Sequence, residues 1–202
     1  MPRWLRYLLA CWLCLGAGLA WSQEFEAQGP YTDPASGLVL PESLGSLPRV
    51  QAYDYESRHP GLGISCKYEV REPLVFADIY VFNGRLGVIP SGIEDPAVVR
   101  MFNSAVGEIQ AMGELGRYQD VKLIGADSIP LGEGANAPQA LRARFSFTLA
   151  AGPVYSHVYG LAVRNHFVKL RFTYRQDQAE QAVPVLGAAL KDLARMVAAD
   201  PQ

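Results

Sequence analysis

The chain has 202 residues, half of them hydrophobic, and its 20 acidic and 18 basic residues give a net charge of −2. This length fits one domain with a sizeable core. The absence of a basic tail or run argues against a nucleic-acid-binding protein, and no apolar stretch is long enough to act as a stable transmembrane anchor.

The N-terminus predicts export. Two arginines precede an apolar run over residues 8–19, which is shorter than a bilayer span, and small residues follow where a signal peptidase reads the chain. We therefore predict a signal peptide over residues 1–22, cleaved before Gln23, and a periplasmic or secreted protein. Two alternatives stay open: a lipoprotein box ending at Cys11, and an uncleaved N-terminal anchor.

Residues 23–48 are rich in Gly, Pro and Ser and show no sustained period, which predicts an extended arm with little regular structure. Residues 49–202 are predicted to form a single domain. Cys66 is the only cysteine that follows the signal segment, so an internal disulfide is not expected. Because Cys66 alternates with the apolar residues Ile64 and Tyr68, we expect a buried and unreactive thiol.

The first half of this domain predicts three strands and a helix. Short β-like runs cover residues 50–56, 63–70 and 74–82, and the last two are separated by a turn at 71–73. Asp95 followed by Pro96 is typical of a helix start, since the side chain caps and the ring presets φ. The helix should bury an apolar stripe and end at two glycines; the stripe is Val98, Phe102, Ala105, Ile109 and Met112.

The second half predicts further strands and a closing helix. Two β runs cover 118–131 and 140–150, and a longer one over 155–174 folds back near Arg164, Asn165 and His166. A capping pattern at Asp177 and Glu180 then opens a helix. Pro184 either kinks that helix or marks its start. Its predicted stripe is Val183, Leu186, Leu190, Leu193 and Val197.

This order of elements predicts an α+β fold, a mainly antiparallel sheet of about six strands packed by two amphipathic helices. The order resembles the Mog1/PsbP/DcrB-like sandwich, and the stretches GLGISCKYEV and NHFVKLRFTYR carry the resemblance. The resemblance implies a non-enzymatic accessory or partner-binding role. It implies no functional residue, because no motif with a chemical role is matched.

The sequence holds no recognisable catalytic or metal-binding constellation. The histidines His59, His157 and His166 lack ligand spacing, and no nucleophile elbow is present. Asp54 and Glu56 could form an acid and base pair, although a solvated strand face explains them as well. We therefore predict no catalytic residue, no metal and no cofactor.

Alternation within two strands suggests a binding surface. Arg142 and Arg144 alternate with apolar residues in one strand, and Lys169, Arg171 and Arg175 do so in another. If these strands lie side by side, the five cations share one face. The strand over 74–82 is apolar on both sides and adds aromatic rings. The candidate anion- or partner-binding residues are Arg142, Arg144, Lys169, Arg171, Arg175, Phe76 and Tyr80.

Two interpretations of that face stay open. It is covered by the arm or a helix, with Arg and Lys stems lying over aromatic rings, or it is a partly open groove for an anionic or amphipathic partner. The leading functional hypothesis is a non-catalytic periplasmic accessory protein that binds another envelope component. The alternative is a periplasmic carrier of a small anionic or amphipathic ligand, and a hydrolase is the least favoured.

Overall fold

The computed structural model describes residues 23–24, 28–134 and 136–198. The predicted signal peptide over 1–22 therefore lies outside the described residues. Eleven strands and two α-helices occur in the described part, all the strands pairing antiparallel. The predicted α+β class is confirmed. None of the helices described is long and apolar enough to cross a membrane.

One sheet organises the molecule. Four short strands come first: β1 (Gln23–Glu24), β2 (Tyr31–Thr32), β3 (Val39–Leu40) and β4 (Ser43–Leu44). The long strands are β5 (Leu47–Asp54), β6 (Ile64–Val70), β7 (Val75–Phe82), β8 (Gln119–Pro130), β9 (Gln139–Leu149), β10 (Gly152–Val163) and β11 (His166–Arg175). The main sheet has the order β1-β5-β6-β7-β11-β10-β9-β8, and β4 also pairs with β5. The central position of β11 brings the last strand beside the earlier ones.

Helix α1 (Pro96–Glu114) packs on one side of the sheet, which we call the α1 side. It begins as predicted, since the Asp95 side chain accepts a hydrogen bond from the Ala97 N–H at 2.8 Å. Its buried stripe packs against β9 and β10. At Gly160 a Cβ atom would lie 3.0 Å from the Phe102 ring, so glycine permits the close approach of helix and sheet.

Helix α2 (Ala179–Ala198) covers the opposite side, the α2 side, after a 3₁₀ turn over Gln176–Gln178. Pro184 lies inside α2 rather than at its start. The buried stripe is Ala182, Leu186, Ala189, Leu193, Met196 and Val197. Val183 was predicted to belong to this stripe but is 52% exposed, because the helix turns the small side chain of Ala182 toward the sheet instead.

The predicted arm packs into the same core as α2. Before β5 begins at Leu47, its described part holds only two-residue strands, yet Leu38, Leu40 and Leu44 are fully buried. The Tyr68 hydroxyl on β6 donates a hydrogen bond to the Pro41 carbonyl at 3.0 Å. Cys66 on the same strand is fully buried as predicted, and burial raises the pKa of its thiol to about 11. The arm and α2 thus close the α2 side over β6 and β7.

Candidate functional site

On the α1 side, the part of the sheet formed by β6, β7 and β11 carries polar and aromatic side chains. The period of two along β7 sends Val75, Ala77 and Ile79 into the α2-side core. Phe76, Asp78 and Tyr80 alternate with them, so these side chains face the α1 side and are only half-buried. The helix α1 packs on β8, β10 and β11, at one end of this face. The β6–β7 region beyond that helix forms an open groove.

This groove has a volume of about 530 Å³ and a mixed lining of paired charges and apolar side chains. Strands β6, β7 and β11 supply most of the lining, and Tyr118 and Leu149 close the end nearest α1. The lining residues are Lys67, Glu69, Leu74, Phe76, Asp78, Tyr118, Leu149 and Arg171. A second cleft of about 410 Å³ shares Lys67 and Glu69 and continues to β5. We call the two clefts together the α1-side groove.

Arg171 is held at the inner end of the groove by aromatic and hydroxyl groups. Its Nε donates to the Ser156 Oγ at 3.2 Å and its Nη2 to the Tyr118 hydroxyl at 3.3 Å. The guanidinium carbon lies 5.5 Å from the centre of the Tyr118 ring, which itself stacks on Phe147 at 4.4 Å. Cation–π contact and two hydrogen bonds therefore fix the orientation of this guanidinium.

Lys169 lies beside the groove, two residues before Arg171 on β11. Its Nζ stands 4.5 Å from the centre of the Tyr80 ring and 3.5 Å from a carboxylate oxygen of Glu108 on α1. Glu108 is 63% exposed in its side chain, so water screens this ion pair. Lys169 therefore keeps hydrogen-bonding capacity for a ligand at the edge of the groove.

Asp78 lies between the charged residues that line the groove. The register places it directly opposite Lys67 on β6 and Arg171 on β11. Burial raises the pKa of Asp78, and Lys67, Arg171 and Lys169 offset only part of that effect. Next to it, the Lys67 Nζ lies 2.8 Å from Glu69. The charges that line the groove thus alternate in sign, and Asp78 and Glu69 already neutralise part of the charge of Lys67 and Arg171.

The five cations do not share one face, because the strands β9 and β11 that carry them do not lie side by side and β10 separates them. Arg144 stands opposite His157 on β10, and His157 stands opposite Phe172 on β11, so Arg144 shares its side with Phe172 and not with Arg171. The same register puts Arg142 on the α2 side. Lys169 and Arg171 lie on the α1 side with Phe76 and Tyr80. Arg175 is at the end of β11, where it forms an ion pair with Asp177.

Six residues that line the groove are not among the sequence-based candidates: Lys67, Glu69, Leu74, Asp78, Tyr118 and Leu149. Lys67 could have been found, because it alternates with Cys66 and Tyr68 and must therefore lie on the side opposite the buried thiol. Tyr118 and Leu149 lie just before β8 and at the end of β9. No local pattern indicates that these two ends meet β6 and β7.

The other candidates for chemistry hold loops and turns. The Glu56 carboxylate accepts from the backbone N–H groups of Gly61 and Gly63, each at 2.8 Å, and Asp54 accepts from the Ser57 N–H at 3.0 Å. His166 contacts the Arg164 carbonyl at 2.8 Å. Within residues 23–24, 28–134 and 136–198, no three His, Cys, Asp or Glu side chains are grouped so as to hold a metal ion.

No family model matches the chain. No curated protein sequence matches it either. Among solved structures, cyanobacterial PsbP (CyanoP) from Synechocystis sp. PCC 6803 is similar over 90% of this chain and 94% of its own, with 12% identity and a TM-score of 0.47. The Ran-binding protein Mog1p of Saccharomyces cerevisiae is similar over 87% and 92%, with 12% identity and a TM-score of 0.38. The resemblance to Mog1/PsbP-like proteins recurs in the structure, but at these values it assigns no function.

Proposed function

We propose that this chain is a non-catalytic accessory protein of the periplasm that binds another envelope component, and that the partner docks in the α1-side groove. The observation that carries the proposal is the groove itself, an open cleft in which an oriented guanidinium stands over an aromatic ring. The Lys169 ammonium lies beside it, over the Tyr80 ring. The periplasmic location rests on the predicted signal peptide.

The lining indicates the chemistry of the docked segment. Arg171 and Lys67 offer donors to a carboxylate, while Phe76 and Leu149 offer apolar surface between the charges. A segment with an acidic residue flanked by apolar or aromatic residues would satisfy both. The charges of Glu69 and Asp78 would in turn disfavour a partner carrying many acidic residues in a row.

The shape of the groove favours a protein segment over an enclosed small molecule. Pockets for small ligands bury most of the ligand surface. Here the two clefts are open to solvent and run on from Arg171 across β7 and β6 to Gln51 on β5. An elongated open groove suits an extended stretch of chain. The carrier alternative requires a small molecule that is retained during purification.

Pull-down from an envelope fraction tests the proposal. Lys169→Gln combined with Arg171→Gln should lower partner capture severalfold, and the capture that remains should weaken further with salt. The matched control is Arg100→Gln with Lys191→Gln, which removes one Arg and one Lys at exposed positions of α1 and α2. The control should capture the partner as the wild type does.

Melting curves accompany this comparison. We expect the double variant to stay folded but to melt below the wild type, since Arg171 loses two hydrogen bonds and its contact with the Tyr118 ring. If the double variant unfolds, partner capture by Lys169→Gln alone tests the docking site, because the ion-pair partner of Lys169 is an exposed carboxylate. Undiminished capture by a folded variant would refute the groove as the docking site. An empty pull-down together with a small molecule in native mass spectrometry would favour the carrier.

A further inference from the structure

The two cations that the register moves to the α2 side have different surroundings. The Arg142 guanidinium forms two hydrogen bonds to the Asp127 carboxylate, at 2.8 and 2.5 Å, and it stands opposite Tyr159 on β10. Arg142 is therefore paired within the protein. Asp127 belongs to β8, so this bidentate pair also ties the edge strand to β9.

Arg144 has no such pairing. Neither a hydrogen bond nor an ion pair joins its guanidinium to another residue in the part of the chain that the structure describes. Its Nε is buried and lacks an acceptor. A buried donor without an acceptor is costly, and most such groups in folded proteins have a partner. The described part of the chain therefore gives Arg144 no bonded counter-charge.

The fold leaves space for this guanidinium and keeps it in place. A Cβ atom at Gly125 on β8 would lie 3.1 Å from the Arg144 Nη2, so the absence of a side chain there lets the guanidinium lie across the edge strand. The side chain is only half-buried, so solvent reaches it. The nearby carboxylate of Asp127 is already bonded to Arg142 through both oxygens.

Strand β10 adds an aromatic wall next to Arg144. His157 lies directly opposite it, and its ring stacks with those of Tyr159 and Tyr174. The ring nitrogens of His157 contact the hydroxyls of Tyr174 at 3.3 Å and Tyr159 at 3.4 Å. The groups that face His157 are thus two hydroxyls and the two guanidinium groups, and one positive charge in the cluster stays without a counter-charge.

We propose that Arg144 anchors a binding site for a phosphate-type oxyanion on the α2 side of β9 and β10. The half-exposed guanidinium supplies donors in a planar fork that matches phosphate oxygens, and the anion supplies the negative charge that the described part of the chain does not bring to Arg144. Arg142, two residues along the same face, is neutralised by Asp127, so the unpaired charge is that of Arg144. A free phosphate and the phosphate of a lipid headgroup share this chemistry. This site is separate from the α1-side groove, so either can fail without the other.

Proton NMR of the histidine rings tests the site directly. Inorganic phosphate is titrated into the purified protein, and a saturable shift of the His157 ring signals is expected while His59 and His166 serve as internal references. Burial lowers the pKa of His157 to about 4, with the charges of Arg142 and Arg144 adding to the effect. A bound anion should raise that pKa, because it favours the imidazolium form.

Arg144→Gln should weaken phosphate binding at least about tenfold, as expected for the loss of charge-assisted hydrogen bonds. It should not lower the melting temperature, because Arg144 has no partner in the protein to lose. The control is Lys122→Gln, which removes an exposed cation from β8 and should leave binding unchanged.

Vesicles distinguish the sources of the phosphate. Phosphatidylglycerol vesicles that shift His157 where inorganic phosphate does not would identify a headgroup site, and the reverse result a free-anion site. The proposal is overturned if neither probe gives a saturable shift, or if Arg144→Gln binds as the wild type does. It is also overturned if Lys122→Gln weakens binding as much as Arg144→Gln, which would indicate unspecific attraction to positive charge.

Discussion

Asp78 and His157 lie on opposite sides of the sheet, and burial shifts both toward their neutral forms. Asp78 has its pKa raised even though Lys67 and Arg171 stand opposite it. His157 has its pKa lowered to about 4. At Asp78, desolvation therefore outweighs the attraction of the neighbouring cations. At His157, desolvation and the charges of Arg142 and Arg144 both lower the pKa.

This shift makes His157 a source of acid sensitivity. Its folded-state pKa lies below the value of 6.5 for an unperturbed histidine, so the folded state binds fewer protons between these pH values. The stability it contributes is fully present above pH 6.5 and is lost as the pH falls toward 4. The shift corresponds to about 3 kcal/mol.

We predict that His157→Gln flattens the pH dependence of unfolding over this range. Urea unfolding at several pH values between 4 and 7 measures it, and the difference between wild type and variant removes the contribution of Asp78, which acts in the opposite direction. The wild type should lose stability relative to the variant as the solution is acidified. Parallel curves would show that the burial of His157 does not contribute to acid sensitivity.

At the scale of strands, the alternation of side chains within each strand was predictable. Which side of the sheet the cations of one strand share with those of another was not. The cations of β9 and those of β11 were each assigned to one side of their own strand correctly. Their relation depends on two hairpins, whose two-residue connections join Leu149 to Gly152 and Val163 to His166. One residue more or less in either turn would bring Arg144 and Arg171 to the same side.

The second hairpin shows why turns are easier to place than to count. Arg164 and Asn165 both have positive φ, +50° and +63°, the geometry of a two-residue turn whose twist matches the flanking strands. The sequence placed the reversal at these residues correctly. Composition alone does not show that Arg164 and Asn165 are both unpaired. The number of unpaired residues decides on which side of the sheet Lys169 and Arg171 lie.

The arm could not be predicted to pack, because its leucines follow no period of two or of 3.6. Leu40 is fully buried in the core shared with α2, whereas its neighbour Val39 is 44% exposed. We predict that Leu40→Ala lowers the free energy of unfolding by about 2–5 kcal/mol, the range for a buried leucine. Val39→Ala is the matched control and should cost far less.

Denaturant unfolding of the two arm variants measures this difference. A small and equal effect of both substitutions would show that the arm is a loosely attached linker. A large effect confined to Leu40→Ala would show that the arm is part of the folded unit, held also by Arg49, whose guanidinium donates to the Gly29 carbonyl at 2.6 Å.

At the scale of the whole molecule, the fold class followed from the order of elements, and both helices were placed. The binding surface followed only in part. Phe76, Tyr80, Lys169 and Arg171 come together on the α1 side, and the groove that they border is completed by residues from the ends of β8 and β9. Such ends meet only after the sheet has formed, so a single sequence carries no local signal for them.

The sharpest test of partner docking is photo-crosslinking in the native host. A photoreactive phenylalanine analogue replaces Phe76 in the groove, and the same analogue at the exposed Val183 of α2 is the control. We predict a discrete crosslinked protein from position 76 and none from position 183, on a chain recovered from the periplasm that begins at Gln23. The absence of an adduct from position 76, equal adducts from both positions, or an unprocessed cytoplasmic chain would contradict the proposed function.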